Sequence, residues 1–356
     1  MEDKLTGTRP HYEILDGLRG VAAIAVVIFH FMEMAITDYT QNFIAHGFLA
    51  VDFFFCLSGF VIAYAYDDRI RNIGLAAFFR ARLIRLHPLV ILGSILGLLA
   101  FLFDPFGGSL AGYSSGRIIL LFIASILLIP FPVMAERANN LFGLNAPAWS
   151  LFWEYIANIV YALVLHRLSK WALLVLAFFG AVLLVYTSNH AGGSLMGGWG
   201  KPNFWDGGAR VFYSFLAGML VYRFNGIIHS RLGFIGVAIL LALTFVMPFN
   251  QWNWLTEPLV VIFYFPLIVA LGAGAKLAKS LRPLCVMAGR LSYPLYMTHY
   301  AVIWSFLNYY NAYKPTMGQL AVIICVGVVI LISFAYLVMR IYDTPVRAYL
   351  SNKRKG

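Results

Sequence analysis

The chain has 356 residues, of which 61% are hydrophobic and only 12% charged, against roughly a quarter charged in a soluble globular protein. That composition excludes a water-soluble fold and leaves no space between the apolar runs for a sizeable soluble domain. A net charge of +11 does not point to nucleic acid, because the Lys and Arg residues fall in short loops and in the tail Lys353-Arg354-Lys355, the pattern that sets membrane topology.

In chain order, apolar runs long enough for a hydrocarbon core of roughly 30 Å lie at 15–36, 45–66, 82–103, 148–166, 171–187, 209–224, 233–250, 255–275, 290–310 and 319–342. The first is longer than a signal-peptide core and is read as a retained span. A further apolar stretch, 117–135, sits between Asp104-Pro105-Phe106-Gly107-Gly108 and Pro130-Phe131-Pro132, flanks that break helices. If it crossed, the loops carrying Arg167 and Lys170, Arg223 and Arg231, Lys276 to Arg290 and the tail would face the side opposite the earlier basic loops. The expectation is therefore an all-α integral membrane bundle of about ten transmembrane helices with both termini cytoplasmic. The segment near 117–135 is then re-entrant or interfacial, its backbone buried by protein or lining a wet cavity. The whole chain, 1–356, reads as one transmembrane domain with no fused soluble domain.

A charged side chain deep in a bilayer is unfavourable by at least about 2.5 to 3.5 kcal/mol, so each needs a partner or a purpose. Counted inward from the predicted outer span ends, His30 and Asp52 lie roughly 10 Å deep, Glu154 roughly 9 Å and His299 roughly 15 Å. At the opposite side, Arg19 sits about one turn inside the first span, and Arg80, Arg82 and Arg85 open the third. This is a cationic mouth leading to an acid/base layer. A His beside a carboxylate is oriented and made more basic, so His30 is the candidate base, with Asp52 or Glu154 as its orienting acid. The arginines suit an anion with several phosphates.

His11, His46, His166, His190 and His229 fall near span ends or in loops and receive no role. Asp343 is expected to pair with Arg340 or Arg347. Cys56, Cys285 and Cys325 lack the spacing of a redox or metal site and read as packing residues, and no metal is expected.

The residues also resemble a known family. Leu15-Asp16-Gly17-Leu18-Arg19-Gly20 with His30 downstream, then the Gly47 to Phe60 stretch containing Asp52, is similar to the opening of the acyltransferase family 3 membrane proteins. That family includes bacterial O-acetylases of lipopolysaccharide, peptidoglycan and exopolysaccharide. The likeness continues in Phe79 to Pro88, in Pro147-Ala148-Trp149-Ser150-Leu151 with Glu154, and in Leu291 to His299. One departure is Asp343-Thr344-Pro345, where relatives often carry Glu-x-Pro.

The resemblance implies an acyl-CoA donor, usually acetyl-CoA, approached from the cytoplasm, and a glycan hydroxyl as acceptor on the other face of a bacterial inner membrane. Position by position, Arg19 and His30 match the family's Arg/His pair, Arg82 and Arg85 its R-x-x-R, and Asp52, Glu154 and His299 fall on motif positions. His30 then either deprotonates the acceptor or carries the acyl group transiently. Other readings are a succinyl donor, a small-molecule acceptor, or a transporter or flippase of a sugar or lipid-linked intermediate.

Overall fold

The computed structural model of the protein describes residues 11–107 and 112–352. Gly108 of the loop after the third span and the tail Lys353-Arg354-Lys355, both used in the topology reading, lie outside them. The described residues form helices and loops without a β-strand, and seven of the helices are long and apolar enough to cross a membrane. The chain is a multi-pass membrane protein.

The first helices are α1 (Glu13–Ala35), α2 (Ala50–Tyr66), α3 (Leu75–Phe103), α4 (Ser115–Ile126), α5 (Ala148–Leu163) and α6 (Lys170–His190). They are followed by α7 (Phe204–Arg223) and α8 (Gly233–Phe245). Helix α9 starts at Asn253–Leu259 and runs through a π turn, Val260–Tyr264, into Phe265–Gly274. Next, α10 (Arg282–Thr298) and α11 (Tyr300–Tyr313) meet at His299. Finally α12 (Met317–Val338) passes through a second π turn, Met339–Asp343, into α13 (Thr344–Asn352). Pro258 and Pro345 flank the two π turns, where a missing N–H widens the helical ladder.

Nine of the ten expected spans fall on one of these helices with ends displaced by several residues, whereas the expected span 290–310 straddles the break at His299 between α10 and α11. The stretch 117–135 behaves differently. Only α4 is helical there, and its 12 residues rise about 18 Å, short of a hydrocarbon core of roughly 30 Å. Ser114 caps α4 by accepting from the Arg117 amide, and Ser125 bonds Ser94 of α3 at 2.8 Å. Beyond α4 the backbone is irregular, with Leu128 at φ 54°.

Loop contacts sort the helix ends into two groups. At one, Asp67 beyond α2 accepts from Arg223 of α7 (2.7 Å), whose guanidinium also reaches the Leu165 and Leu168 carbonyls between α5 and α6. There too Glu13 of α1 holds Arg282 of α10 at 2.7 Å. At the other, the Leu141 amide donates to the Trp199 carbonyl (2.8 Å), joining the α4–α5 segment to the α6–α7 loop. The His46 amide likewise donates to Phe245 at 3.3 Å, joining the α1–α2 and α8–α9 loops. The segment between α3 and α5 thus enters and leaves at this second end, where Arg137 lies over Phe101 near the end of α3, while α4 dips alongside α3 to the level of Ser94 and does not carry the chain across the bundle.

Helices α2 and α7 pack backbone to backbone. A Cβ at Gly218 would overlap the Cys56 carbonyl, and one at Gly59 would overlap the carbonyl of Phe215. Gly218→Ala is therefore expected to separate the two helices and cost about 1 to 3 kcal/mol, lowering the midpoint of thermal unfolding in detergent. Gly318→Ala, where an added Cβ meets nothing within 4 Å, should leave the midpoint unchanged or slightly raised. Equal effects of the two substitutions would refute this packing.

Candidate functional site

Two cavities lie along α1, one near each end. The larger, of about 750 Å³, is lined by Asp16 and Arg19 of α1, Arg82 and Arg85 of α3, Glu154 of α5, Arg290 of α10 and Arg347 of α13. The smaller, of about 260 Å³, is lined by His30 and Glu33 of α1, Arg137, Trp149, Tyr300 and Trp304. Eleven residues separate Arg19 from His30, about 16 Å along the helix axis. Val51 and Tyr296 face both cavities and form the wall between them, with the Tyr296 hydroxyl 2.7 Å from Ser150 Oγ.

In the larger cavity most of the positive charge is already matched. Arg19 holds Asp16 at 2.8 Å and also donates to Ser292 Oγ and the Gly289 carbonyl, each at 2.9 Å. Arg82, buried, holds Glu154 at 2.8 Å, and Glu154 also accepts from Ser58 at 3.0 Å. Arg282 pairs with Glu13, and Arg347 with Asp343 at the second π turn. Arg85 and Arg290 line the same cavity, are exposed, and have no carboxylate partner among the described residues. Arg80 faces elsewhere, into a shallow surface groove with Arg85 and Arg347.

In the smaller cavity, His30 Nδ1 lies 2.5 Å from Glu33 Oε1, one helical turn away on α1. An ionised carboxylate only accepts hydrogen bonds, so Nδ1 is the nitrogen that donates to Glu33, and in the neutral ring this leaves the lone pair on Nε2. Glu33 is held in turn by the Tyr39 hydroxyl at 3.4 Å. The His299 ring stacks on His30, centroids 5.3 Å apart and planes inclined by 23°, and Tyr300 presents its edge at 4.9 Å. His299 is fully buried. Its Nδ1 lies 3.1 Å from the Leu295 carbonyl and 2.9 Å from that of Tyr296, which fixes its tautomer, and its Nε2 is buried without a partner.

This geometry changes the expected roles of two acids. Asp52 does not reach His30: it is buried against Arg210, which reaches it at 2.6 Å through Nη2 and at 3.1 Å through Nε. Arg210 also donates to the carbonyls of Gly197 (2.7 Å) and Phe48 (3.2 Å), so the pair joins α2, α7 and the preceding loop. Glu154 lies on the other side of the wall with Arg82. The depth count placed both acids near His30 in height but could not tell which face of each helix they occupy. The acid on His30 is Glu33, signalled in the sequence by the i,i+3 spacing that sets two side chains on one helical face. Arg210 escaped notice inside an apolar run, and Asp343 takes Arg347 rather than Arg340.

His46, given no role, is buried with Glu257, Nε2 and Oε1 being 3.3 Å apart. Glu257 also accepts from the Leu195 amide at 2.6 Å and from Ser194 at 3.0 Å. This network ties the α1–α2 and α6–α7 loops to α9.

The fold is thus a multi-pass helical membrane bundle with an arginine-lined cavity on one side of a shared wall and a histidine–carboxylate pair on the other. The chain belongs to the acyltransferase family 3, whose acyltransferase domain it matches over residues 12–338. It is 36% identical over 184 residues to "Protein 2 in picA locus" of Rhizobium radiobacter, an alignment covering 48% of this chain and 92% of that protein. It is 24% identical over 369 residues to the O-acetyltransferase OatA of Staphylococcus aureus (strain NCTC 8325 / PS 47), which covers 94% of this chain. The chain spans 57% of the length of that enzyme. No solved structure matches it.

The Asp52–Arg210 pair makes a structural prediction. Asp52→Ala leaves a buried guanidinium alone and should destabilise the protein by about 3 to 5 kcal/mol, while pairing Asp52→Leu with Arg210→Met should recover most of that loss. Thermal unfolding of the purified protein measures both. A stable Asp52→Ala protein would show that Asp52 does not act through this pair.

Proposed function

We propose that the protein transfers an acyl group, acetyl from acetyl-CoA, to a hydroxyl of a cell-surface or exported glycan, at a bacterial plasma membrane crossed ten times with both termini in the cytoplasm. The observation that carries this reading is the shared wall. Arginines that no described carboxylate pairs with lie on one side of Val51 and Tyr296, and a histidine held through Nδ1 by Glu33 lies on the other. Relatives named O-acetyltransferase support the acetyl group. The grouping of loop ends and the clustering of basic residues at the larger cavity support the topology.

On this reading Arg85 and Arg290 take the CoA phosphates, helped by Arg19, because guanidinium groups stay charged when partly desolvated and match phosphate oxygens in pairs. The pantetheine arm brings the thioester to the wall. His30 Nε2 removes the acceptor's hydroxyl proton as that oxygen attacks the thioester carbonyl, and the C–S bond breaks to release CoA. In the stepwise alternative, Nε2 itself attacks first, expels CoA and then passes the acyl group to the hydroxyl. Glu33 holds the ring and stabilises the imidazolium in either route. His299 packs flat on that ring, and an apolar wall keeps water from the thioester.

His30→Gln is expected to lower transfer of radiolabelled acetyl groups from acetyl-CoA to cell-surface glycan by about 10² to 10⁴-fold in proteoliposomes, and a wild-type rate would remove His30 from the chemistry. A transporter would give no labelled glycan at all. Replacing Arg85 and Arg290 together by Ala should raise KM for acetyl-CoA by roughly tenfold or more with kcat little changed; an unchanged KM would place the donor elsewhere. For the topology, a tag at the N-terminus should be reachable only from the cytoplasm and one at residue 140 only from outside. Labelling of both from one side would overturn the ten-crossing arrangement.

A further inference from the structure

Among the described residues the buried arginines are Arg82, Arg137 and Arg210, at 6%, 7% and 1% exposure. Arg82 holds Glu154 and Arg210 holds Asp52, but no described carboxylate forms an ion pair with Arg137. Its Nη1 donates to the Gly143 carbonyl at 2.6 Å, and its guanidinium lies over the rings of Phe101 (5.1 Å) and Trp304 (5.0 Å). Adjacent Glu136 also lines this cavity but forms no ion pair with Arg137, and it accepts from the Tyr113 hydroxyl at 2.6 Å. Glu33, the other acid of this cavity, is engaged by His30 and Tyr39.

The backbone holds Arg137 in place against its local preference. Ala138 and Asn139, the next two residues, have φ of 54° and 48°, the left-handed region that L residues other than Asn and Asp rarely enter. Burial pushes the guanidinium down to about 10, so it remains charged at neutral pH. A desolvated cation facing a cavity is stabilised by a ligand that brings the opposite charge. Flat aromatic faces surround it, from Trp149, Trp199, Tyr300 and Trp304, which suit the apolar face of a sugar ring while its polar groups reach the few charges present.

We propose that the smaller cavity is built for an anionic sugar, whose carboxylate or phosphate binds Arg137 while a nearby hydroxyl faces His30. This rests on reading that cavity as the acceptor side. It narrows the acceptor from glycans in general to those with acidic residues, and it requires that a reaction attaching a uronate or a phosphorylated sugar act before this one.

The cavity carries its own reporters in Trp149, Trp199 and Trp304, so binding can be followed by intrinsic fluorescence without any turnover. The full chain in phosphatidylcholine nanodiscs is titrated with a trisaccharide ending in glucuronic acid, with its glucose-ended counterpart, and with glucose 6-phosphate. The wild type is expected to prefer either anionic probe about tenfold or more, the worth of one charge-assisted hydrogen bond. Arg137→Gln should abolish that preference, and Arg137→Lys, which keeps the charge but not the planar fork, should keep part of it. Equal binding of neutral and anionic probes by the wild type, or an undiminished preference in Arg137→Gln, overturns the proposal. If Arg137→Gln does not elute as a single species, Arg137→Lys decides, an undiminished preference again overturning it. Phosphatidylglycerol that competes with the glucuronate probe only when Arg137 is present would make the occupant a lipid headgroup and overturn the sugar assignment. Glucuronate binding without acetyl transfer would sustain this inference and defeat the proposed reaction. Transfer confined to neutral glycans would do the reverse.

Discussion

The constraint on which this structure depends is that a charge removed from water must meet another charge. In a chain with only 12% charged residues, several of the ion pairs withdrawn from water are joints between helices. Asp52 with Arg210 joins α2 to α7, Arg82 with Glu154 joins α3 to α5, and Asp67 with Arg223 joins the loop after α2 to the end of α7. Apolar side chains cannot do this work alone, because between helices surrounded by lipid there is little hydrophobic driving force. Close backbone contact at Gly59 and Gly218 supplies packing, while directed pairs set which helix faces which.

The same constraint separates functional from structural charge. Arg82 and Arg210 look alike in sequence to Arg85 and Arg137, each lying in or beside an apolar run. Among the described residues the first two are matched by carboxylates and the last two form no ion pair. An unmatched cation in the wall of a cavity keeps its capacity to bind. On the proposed reading, Arg85 and Arg290 at one cavity and Arg137 at the other form two binding regions on opposite sides of the wall made by Val51 and Tyr296.

The helices were legible because a span about 20 residues long and almost wholly apolar has few other solutions in a bilayer. The short length of α4 was legible only indirectly, through the charges on either side of it and the Pro and Gly residues at its flanks. Depth, too, can be counted from sequence, and the count correctly set His30 far from Arg19. What linear distance omits is the angular position around the helix axis. Asp52 and Glu154 were expected at the height of His30, yet Asp52 turns to α7 and Glu154 turns into the other cavity. Glu33 was overlooked because it stands near the end of a span, where acids are inexpensive and attract little attention. Its spacing from His30 was available all along. Nothing in the local sequence marked Arg137, because what sets it apart is that no described carboxylate forms an ion pair with it in the folded chain.

On the proposed reading, placing donor and acceptor in separate cavities solves a problem that one open site would not. A thioester and a sugar hydroxyl approach from media of different composition, and a continuous wet channel between them would let water compete for the acyl group and let ions leak. Val51 and Tyr296 close that route, with the Tyr296 hydroxyl engaged by Ser150 of α5. The Tyr296 carbonyl also accepts from His299, whose ring lies against His30. The residue that forms the wall is thereby coupled through one backbone carbonyl to the imidazole pair behind it. On the proposed mechanism, a donor that displaces Tyr296 as it enters also shifts the support of His30, so that barrier and base respond to the same event.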